Sequence, residues 1–410
     1  MHEPKAASNG KLLLALLMLI YAINLLDRNI LSIALPGIRA EFHLSDSALG
    51  VLTGPAFALV YVLMGIPLAV LTDRGYRRAV IAGSLAVFSV MTLLCGMASN
   101  FMQLLTARIG VGIGEAGSAP ALNAVIAASI PPERRTGALS IYSAGANLGL
   151  LLAFFGGGLI IHHWGWRAGL IAAGVPGLLL MLIFLATWRE PARQNDTRHL
   201  RLAETLRFLL QHKRLRFMAL ASGFTSIGGY ATLAFVPSLL FRTYHLTTTQ
   251  IGLLLAGVGG VIGFLGTMLP GLLSDRLGKG HDGLTVAVFG VAAWIPCHLL
   301  LCLTRDLRVM MVGMVPAAFF ISSWLGPTLA AAQNIVPDQM RAQAAALLLA
   351  ALNLVGMTAG PLLVGMMSDA LSTSLGDDAL RYALAGAAAP SLLAIACFVA
   401  ARRQSGMDAT

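Results

Sequence analysis

Charge is what this sequence most conspicuously lacks. Only 11% of its 410 residues are Asp, Glu, Lys or Arg, against 57% hydrophobic ones. Soluble globular chains carry about 25% charged residues, so the deficit excludes an ordinary water-soluble domain and makes lipid the solvent. Cysteine is also scarce. Cys95, Cys297, Cys302 and Cys397 all fall inside apolar runs, where they read as small buried hydrophobes rather than disulfides or metal ligands. Short alternating segments are missing, which excludes a spanning β-barrel. No glycine-rich Lys-Ser/Thr phosphate loop, Gly-x-Ser-x-Gly elbow or His-Glu-x-x-His pair occurs, so no enzyme chemistry, ATP hydrolysis or metal site is expected. The net charge of +10 lies between apolar runs rather than in a basic domain, which argues against nucleic acid as a partner.

What remains is a series of apolar runs long enough to cross a hydrocarbon core of about 30 Å as helices. Twelve spans are expected: 12–38, 48–71, 78–98, 101–129, 136–161, 166–187, 216–241, 250–273, 284–304, 308–335, 342–368 and 380–401. The first run carries Asp27 and Arg28 and no small-residue cleavage site, so it reads as a retained helix. With both termini in the cytoplasm, cytoplasmic segments hold 20 of the 28 Lys and Arg residues. External loops then hold six: Arg39, Arg167, Arg242, Arg305, Arg308 and Arg381. That bias fixes the orientation. Residues 188–215 form a basic linker, expected on the cytoplasmic side, between bundles 1–187 and 216–410. Leu202, Leu206, Leu209 and Leu210 recur there at helical intervals, which suggests either a short interfacial helix or a plain linker. The Ala- and Leu-rich composition and compact loops suggest a bacterial inner membrane.

The two halves repeat one another. Asp73-Arg74-Gly75-Tyr76-Arg77-Arg78 follows span 2, and Asp275-Arg276-Leu277-Gly278-Lys279 follows span 8, a shift of 202 from Asp73 to Asp275. Pro131, Arg135 and Asn147 recur at Pro337, Arg341 and Asn353, each shifted by 206. Such agreement implies a duplicated six-helix unit, and six being even, parallel copies.

On these residues the chain resembles the major facilitator superfamily along essentially its whole length. Asp275 to Lys279 matches that superfamily's loop signature. The first copy departs from it, with Ala69 in place of the usual glycine and Gly75 one place early. The resemblance implies an all-α membrane fold of twelve helices in two pseudo-symmetric bundles around a central cavity, working by alternating access. The N-terminal half is similar to Spinster-type transporters at Asn24-Leu25-Leu26-Asp27-Arg28, at Ala107 to Ala116 and at Trp164-Gly165-Trp166-Arg167. That similarity implies proton-linked export of lysolipids or sphingoid lipids. The C-terminal half shows only the superfamily likeness.

A charge in mid-span costs about 2.5–3.5 kcal/mol, and Asp27, Arg28, Arg108 and Glu115 are the deep ones. All four lie in the N-terminal half and sum to zero. Arg108 and Glu115 are seven residues apart, which returns them to one helix face about 10.5 Å apart along the axis, and Asp27 can approach either. Such charges are either a static lock or, by the usual rule for intramembrane charge, functional. The functional reading has Asp27 or Glu115 exchanging a proton, since burial raises a carboxyl pKa and a nearby arginine lowers it. Arg108 would then couple proton occupancy to conformation. Arg28 would balance charge or meet an anionic headgroup.

Asp73, Arg74, Arg77, Arg78, Asp275 and Arg276 are gating candidates at the cytoplasmic face. Gly228, Gly229 and Pro237 permit a bend in span 7. Tyr61, Tyr142, Asn147, Phe224, Tyr230, Trp324 and Asn353 are cavity candidates, each of which helix packing also explains. One polar and one apolar cavity wall would suit an amphiphile. The expectation is a monomeric proton-coupled secondary transporter that needs no cofactor beyond the proton gradient. Its partners are the bilayer, protons and an amphiphilic or anionic solute. An organic-anion or drug transporter is the alternative within transport, and a lipid scramblase or sensor the alternative outside it.

Overall fold

The computed structural model describes residues 6–190, 202–277, 283–337 and 340–405. They are almost wholly helical. Ten helical runs are apolar and long enough to cross a membrane. Two of these, of 51 and 62 residues, exceed any single crossing and carry an internal reversal. Gly165 interrupts the first at φ +82° and Gly376 the second at φ +55°, a left-handed backbone that glycine adopts without strain. Each of the two runs therefore makes two crossings, and the total is the twelve that the apolar runs imply.

Element boundaries follow local chemistry. Four helices begin with a side chain on their own orphaned amides. Ser45 accepts from Ala48 at the start of α2 (Asp46–Thr53), and Asn100 from Gln103 at the start of α5 (Phe101–Glu115). Thr247 and Gln250 close a reciprocal capping box on α11 (Thr248–Leu255). Asp306 accepts from Arg308 and Val309 at the start of α14 (Leu307–Phe320). These caps repeat the internal duplication: Ser45 to Thr247 is a shift of 202, and Asn100 to Asp306 a shift of 206. The arginines obey the same rule. Arg135 donates to Ala127 O at 2.7 Å, and Arg341 to Gln333 O at 3.0 Å, each eight residues upstream and 206 apart. Both close the C-terminal carbonyls of the preceding helix.

The chain divides into two compact units, and neither is a simple half. Unit 1 holds Met1–Leu44, Ala56–Asn195 and Thr247–Ala256; unit 2 holds Ser45–Pro55, Asp196–Leu246 and Gly257–Thr410. The exchanged pieces are α2 and α11, the opening turns of spans 2 and 8.

Within unit 2, α2 lies against α16 (Arg341–Leu375). Gly50, Gly54 and Gly365 allow this. A Cβ on Gly50 would stand 2.5 Å from Pro361 O, and one on Gly365 2.3 Å from Asp46 O. Asp369 of α16 accepts from the amides of Asp46 and Ser47 at 2.9 and 2.8 Å, capping α2 from outside. Asp46 in turn takes two hydrogen bonds from Arg242, at 2.8 and 2.6 Å, and one from Ser368 at 2.6 Å. Arg242 closes α10 (Lys213–Tyr244), so three helices meet on one bidentate pair. Within unit 1, α11 reaches α8 (Gly157–Thr187) and the π-helical turn just before it by the same device without charge. A Cβ on Gly252 would stand 2.2 Å from Phe154 O, and one on Gly158 2.7 Å from Thr248 O.

Span 7 is not interrupted at its glycines or its proline. Despite Gly228, Gly229 and Pro237, α10 runs unbroken for 32 residues. The irregular turns fall instead at the π-helical stretches Leu152–Gly156 and Ala256–Ile262, the second rich in glycine.

Removing one partner from a largely buried ion pair costs about 3–5 kcal/mol, because the other charge is left uncompensated. Asp46→Asn and Arg242→Met are each expected to lower the thermal midpoint of the purified protein in detergent. The joint Asp46→Leu and Arg242→Met change should recover most of that loss. A joint variant as unstable as both singles added together would contradict the pairing.

Candidate functional site

The four deep charges lie in unit 1, and glycines bring them together. In α5, Gly110 and Gly114 are four apart and share a face. A Cβ on Gly110 would meet Met91 at 2.6 Å, and one on Gly114 would meet Phe88 N at 2.4 Å. Both neighbours belong to α4 (Arg77–Met97). Gly112 lies on the opposite side, where a Cβ would stand 2.7 Å from Phe57 O of α3 (Pro55–Asp73). Stripped of side chains on both sides, α5 wedges between α3 and α4. Arg108 and Glu115 then point toward α1 (Ala6–Phe42), which carries Asp27 and Arg28.

The charges cross-pair. Arg28 Nη2 donates to Glu115 Oε2 at 2.7 Å, and its Nε to the same oxygen at 3.3 Å. Arg108 Nη1 lies 3.5 Å from Asp27 Oδ2, and its Nη2 lies 3.5 Å from Arg28 O. Thr92 of α4 donates its hydroxyl to Asp27 Oδ1. The second oxygen of Glu115, Oε1, is buried without a hydrogen-bond partner among the described residues. Asp27 and Glu115 are each 1% exposed and Arg108 is 4% exposed, whereas the Arg28 side chain is 20% exposed. Three charges are sealed, then, and one looks outward.

Aromatic rings complete the surround. Phe57 lies between two guanidiniums, 4.9 Å from Arg28 and 4.8 Å from Arg108. Tyr61 stacks on Phe57 at 5.4 Å and lies 5.0 Å from Arg28. Tyr142 stacks on Tyr21 at 4.5 Å. Cation–π contacts of this kind stabilise by about 0.5–2 kcal/mol and hold the arginines without consuming their hydrogen bonds.

Unit 2 lacks the counterpart charges. Under the 206-residue shift, Arg108 becomes Met314 and Glu115 becomes Ile321. The helix break just after Glu115 is nevertheless duplicated, between Phe320 and Leu325. The architecture was copied and the ionisable chemistry was not.

Among the remaining candidates, Tyr230 donates to Asn353 Oδ1 at 2.5 Å, joining α10 to α16. Trp324 is buried, with its indole N–H given to Ile321 O at 2.9 Å, and Phe224 packs against the same core. Asn147 is half-buried. At the proposed gate, Asp73 and Arg74 are exposed. Arg77 and Arg78 present backbone amides to Glu190, at 3.0 and 3.2 Å, and Arg78 also reaches Leu185 O. The side chains of Asp275 and Arg276 lie outside the described residues. Among the described residues no cluster of three His, Cys, Asp or Glu could hold a metal ion.

Several participants escape sequence reading. Thr92, Phe57 and Tyr21 look like ordinary span residues. Asp46 and Arg242 sit at span ends, where the positive-inside count files Arg242 as a loop charge. Glu190 was hidden in the linker, although an acid just past a span end is a signal for a cap on a neighbouring helix.

The Major Facilitator Superfamily profile matches residues 17–284 and 218–408. An "MFS-type efflux pump" of Mycolicibacterium smegmatis is 32% identical over 373 residues, 88% of this chain and 85% of that protein. A "probable galactarate/D-glucarate transporter" of Bacillus subtilis is 26% identical over 340 residues, 74% of each. Among solved structures, a bacterial homologue of the human lysosomal transporter Spinster, in an inward-facing and unoccupied conformation, superposes with a TM-score of 0.87. Its identity is 27%, over 97% of this chain and 98% of that one.

The glycine wedge has a direct test. Gly114→Ala forces a methyl into the backbone of Phe88, and overpacking of this kind costs about 1–3 kcal/mol. Its folded yield and thermal midpoint are expected to fall. Gly83→Ala in α4, which meets nothing within 4 Å, is expected to leave both unchanged. Equal behaviour of the two variants would contradict the wedge.

Proposed function

The chain belongs to the major facilitator superfamily, and on that footing we propose that this multi-pass membrane transporter couples solute movement to protons through the Asp27–Glu115 pair. The observation that carries the reading is two carboxyls, each 1% exposed, in one cluster and each facing one arginine. Two acids and two bases sum to zero, which the membrane interior tolerates. One added proton leaves a net charge of +1 there.

That charge has one outlet. Arg28 is the least buried member of the cluster, and its ion pair with Glu115 is strongest while Glu115 is ionised. Protonation of Glu115 weakens this attraction and raises the net positive charge that an anionic group on the solute would meet at Arg28. Arg108 stays opposite Asp27, so a proton shared between the acids also alters the tie between α5 and α1. Solute charge and proton occupancy are thereby linked through one cluster. The half-buried Tyr61 offers an aromatic face beside Arg28, which suits an amphiphile with an anionic head such as a lysolipid or sphingoid phosphate. Export is the favoured direction, in line with the efflux relative. The bias of 20 against six basic residues supports cytoplasmic termini, and the composition supports a bacterial inner membrane.

A second reading has an observation of its own. The galactarate/D-glucarate relative and a "cis,cis-muconate transport protein" of Acinetobacter baylyi, 28% identical over 289 residues, are named for dicarboxylates. The same Arg28 outlet would receive a small organic anion.

Proteoliposomes separate these readings. Solute-induced proton movement is expected with an anionic amphiphile for wild type, and is expected to fall at least tenfold in Asp27→Asn and in Glu115→Gln. A response to dicarboxylates alone would select the second reading. Full gradient-driven transport in both variants would overturn coupling through this pair, and lipid equilibration that ignores a pH gradient would point to a scramblase.

A further inference from the structure

We infer that α9 (Leu202–Gln211) is a docking site for anionic phospholipid headgroups on the membrane surface beside unit 2. Positions four apart share a stripe on a helix, and successive stripes are turned by about 100°. The first stripe faces protein. Thr205 is fully buried and donates to the Gln343 side chain in the first turn of α16. Leu209, 9% exposed, belongs to one core cluster with Leu215 of α10, Ala344 of α16, and Phe398 and Ala401 of α18 (Ala389–Ser405). The second stripe is apolar and uncovered: Leu206 is 44% exposed and Leu210 59%. The third is polar and exposed, Arg207 and Gln211.

Three faces in this order fit a helix at the line where protein, hydrocarbon and water meet. Protein takes the Thr205–Leu209 stripe, and water takes the Arg207–Gln211 stripe. The Leu206–Leu210 stripe between them is left for acyl chains. Unit 2 offers the membrane edge at this place, because α10, α16 and α18 are spanning helices. Leu220, two turns into α10, is likewise 51% exposed.

Charge selects the lipid. From 201 to 216 the chain carries Arg201, Arg207, Lys213, Arg214 and Arg216 against the single acid Glu204. Arg207, Lys213 and Arg216 are exposed, as is Arg403 at the end of α18. Each base near the surface favours anionic lipid about fivefold. The Thr205–Gln343 bond then joins the lipid contact to α16, the helix that also carries Asp369 and Asn353.

The test uses the full chain carrying Leu206→Cys, labelled with a polarity-sensitive fluorophore and reconstituted in phosphatidylcholine vesicles. Wild type, with its four cysteines, gives the labelling background. Brominated phosphatidylglycerol is expected to quench the label several-fold more than brominated phosphatidylcholine at equal mole fraction. Arg207→Gln, Lys213→Gln and Arg216→Gln together should abolish that preference and leave quenching by lipid intact. Quenching by aqueous iodide but not by brominated lipid would overturn the interfacial placement. Equal quenching by the two lipids in the unsubstituted background would overturn selection of anionic headgroups.

Discussion

Electrical neutrality in a medium that cannot solvate charge organises this molecule. Asp27, Arg28, Arg108 and Glu115 are tolerable in the membrane only together, since any one alone carries an insertion cost of about 2.5–3.5 kcal/mol. Neutrality therefore demands that α1 and α5 meet, and that demand places strict requirements on packing. Side chains that fill space would hold the helices apart. Gly110, Gly112 and Gly114 remove them at the levels where α5 meets α4 and α3. The cluster and the glycines are one device, in which the first supplies a reason for contact and the second makes contact sterically possible.

The same two ingredients recur in unit 2, with a different balance. Asp46, Arg242 and Asp369 join α2, α10 and α16 through hydrogen-bonded charge, and Gly50 and Gly365 provide the close approach. In unit 1, α11 docks with glycine alone. The duplication conserved caps, helix breaks and close approaches across both halves. It left the deep arginine and glutamate of α5 in only one, where Arg108 and Glu115 correspond to Met314 and Ile321. Structural chemistry repeats, while the cluster of two acids and two arginines appears once among the described residues.

Much of the fold was legible because lipid imposes blunt rules. Run lengths, the sign of loop charge and the shifts of 202 and 206 depend on composition at scales that local packing cannot overturn. The repeat even reaches individual hydrogen bonds, as Arg135 and Arg341 show. The four charges were legible for the same reason. Their pairing was not: Arg28 reaches Glu115, 87 residues away, and Arg108 lies opposite Asp27, which helical periodicity cannot decide. Thr92 and Phe57 were invisible because a threonine or phenylalanine in a span carries no signal until its neighbour is known. The exchange of α2 and α11 between units was hidden too, because periodicity fixes where a helix begins but not which bundle receives it. In span 7, glycine and proline permit a break, yet the helix is continuous across them.

The central claim is that the Asp27–Glu115 pair gains and loses a proton while sealed from water. Infrared titration of the full-length protein in lipid reads this directly, through the carbonyl stretch of a protonated carboxylic acid. The account predicts a band that titrates in wild type and disappears or shifts in both Asp27→Asn and Glu115→Gln. A titrating band unaltered by either substitution, or none at any pH at which the protein stays folded, would contradict it.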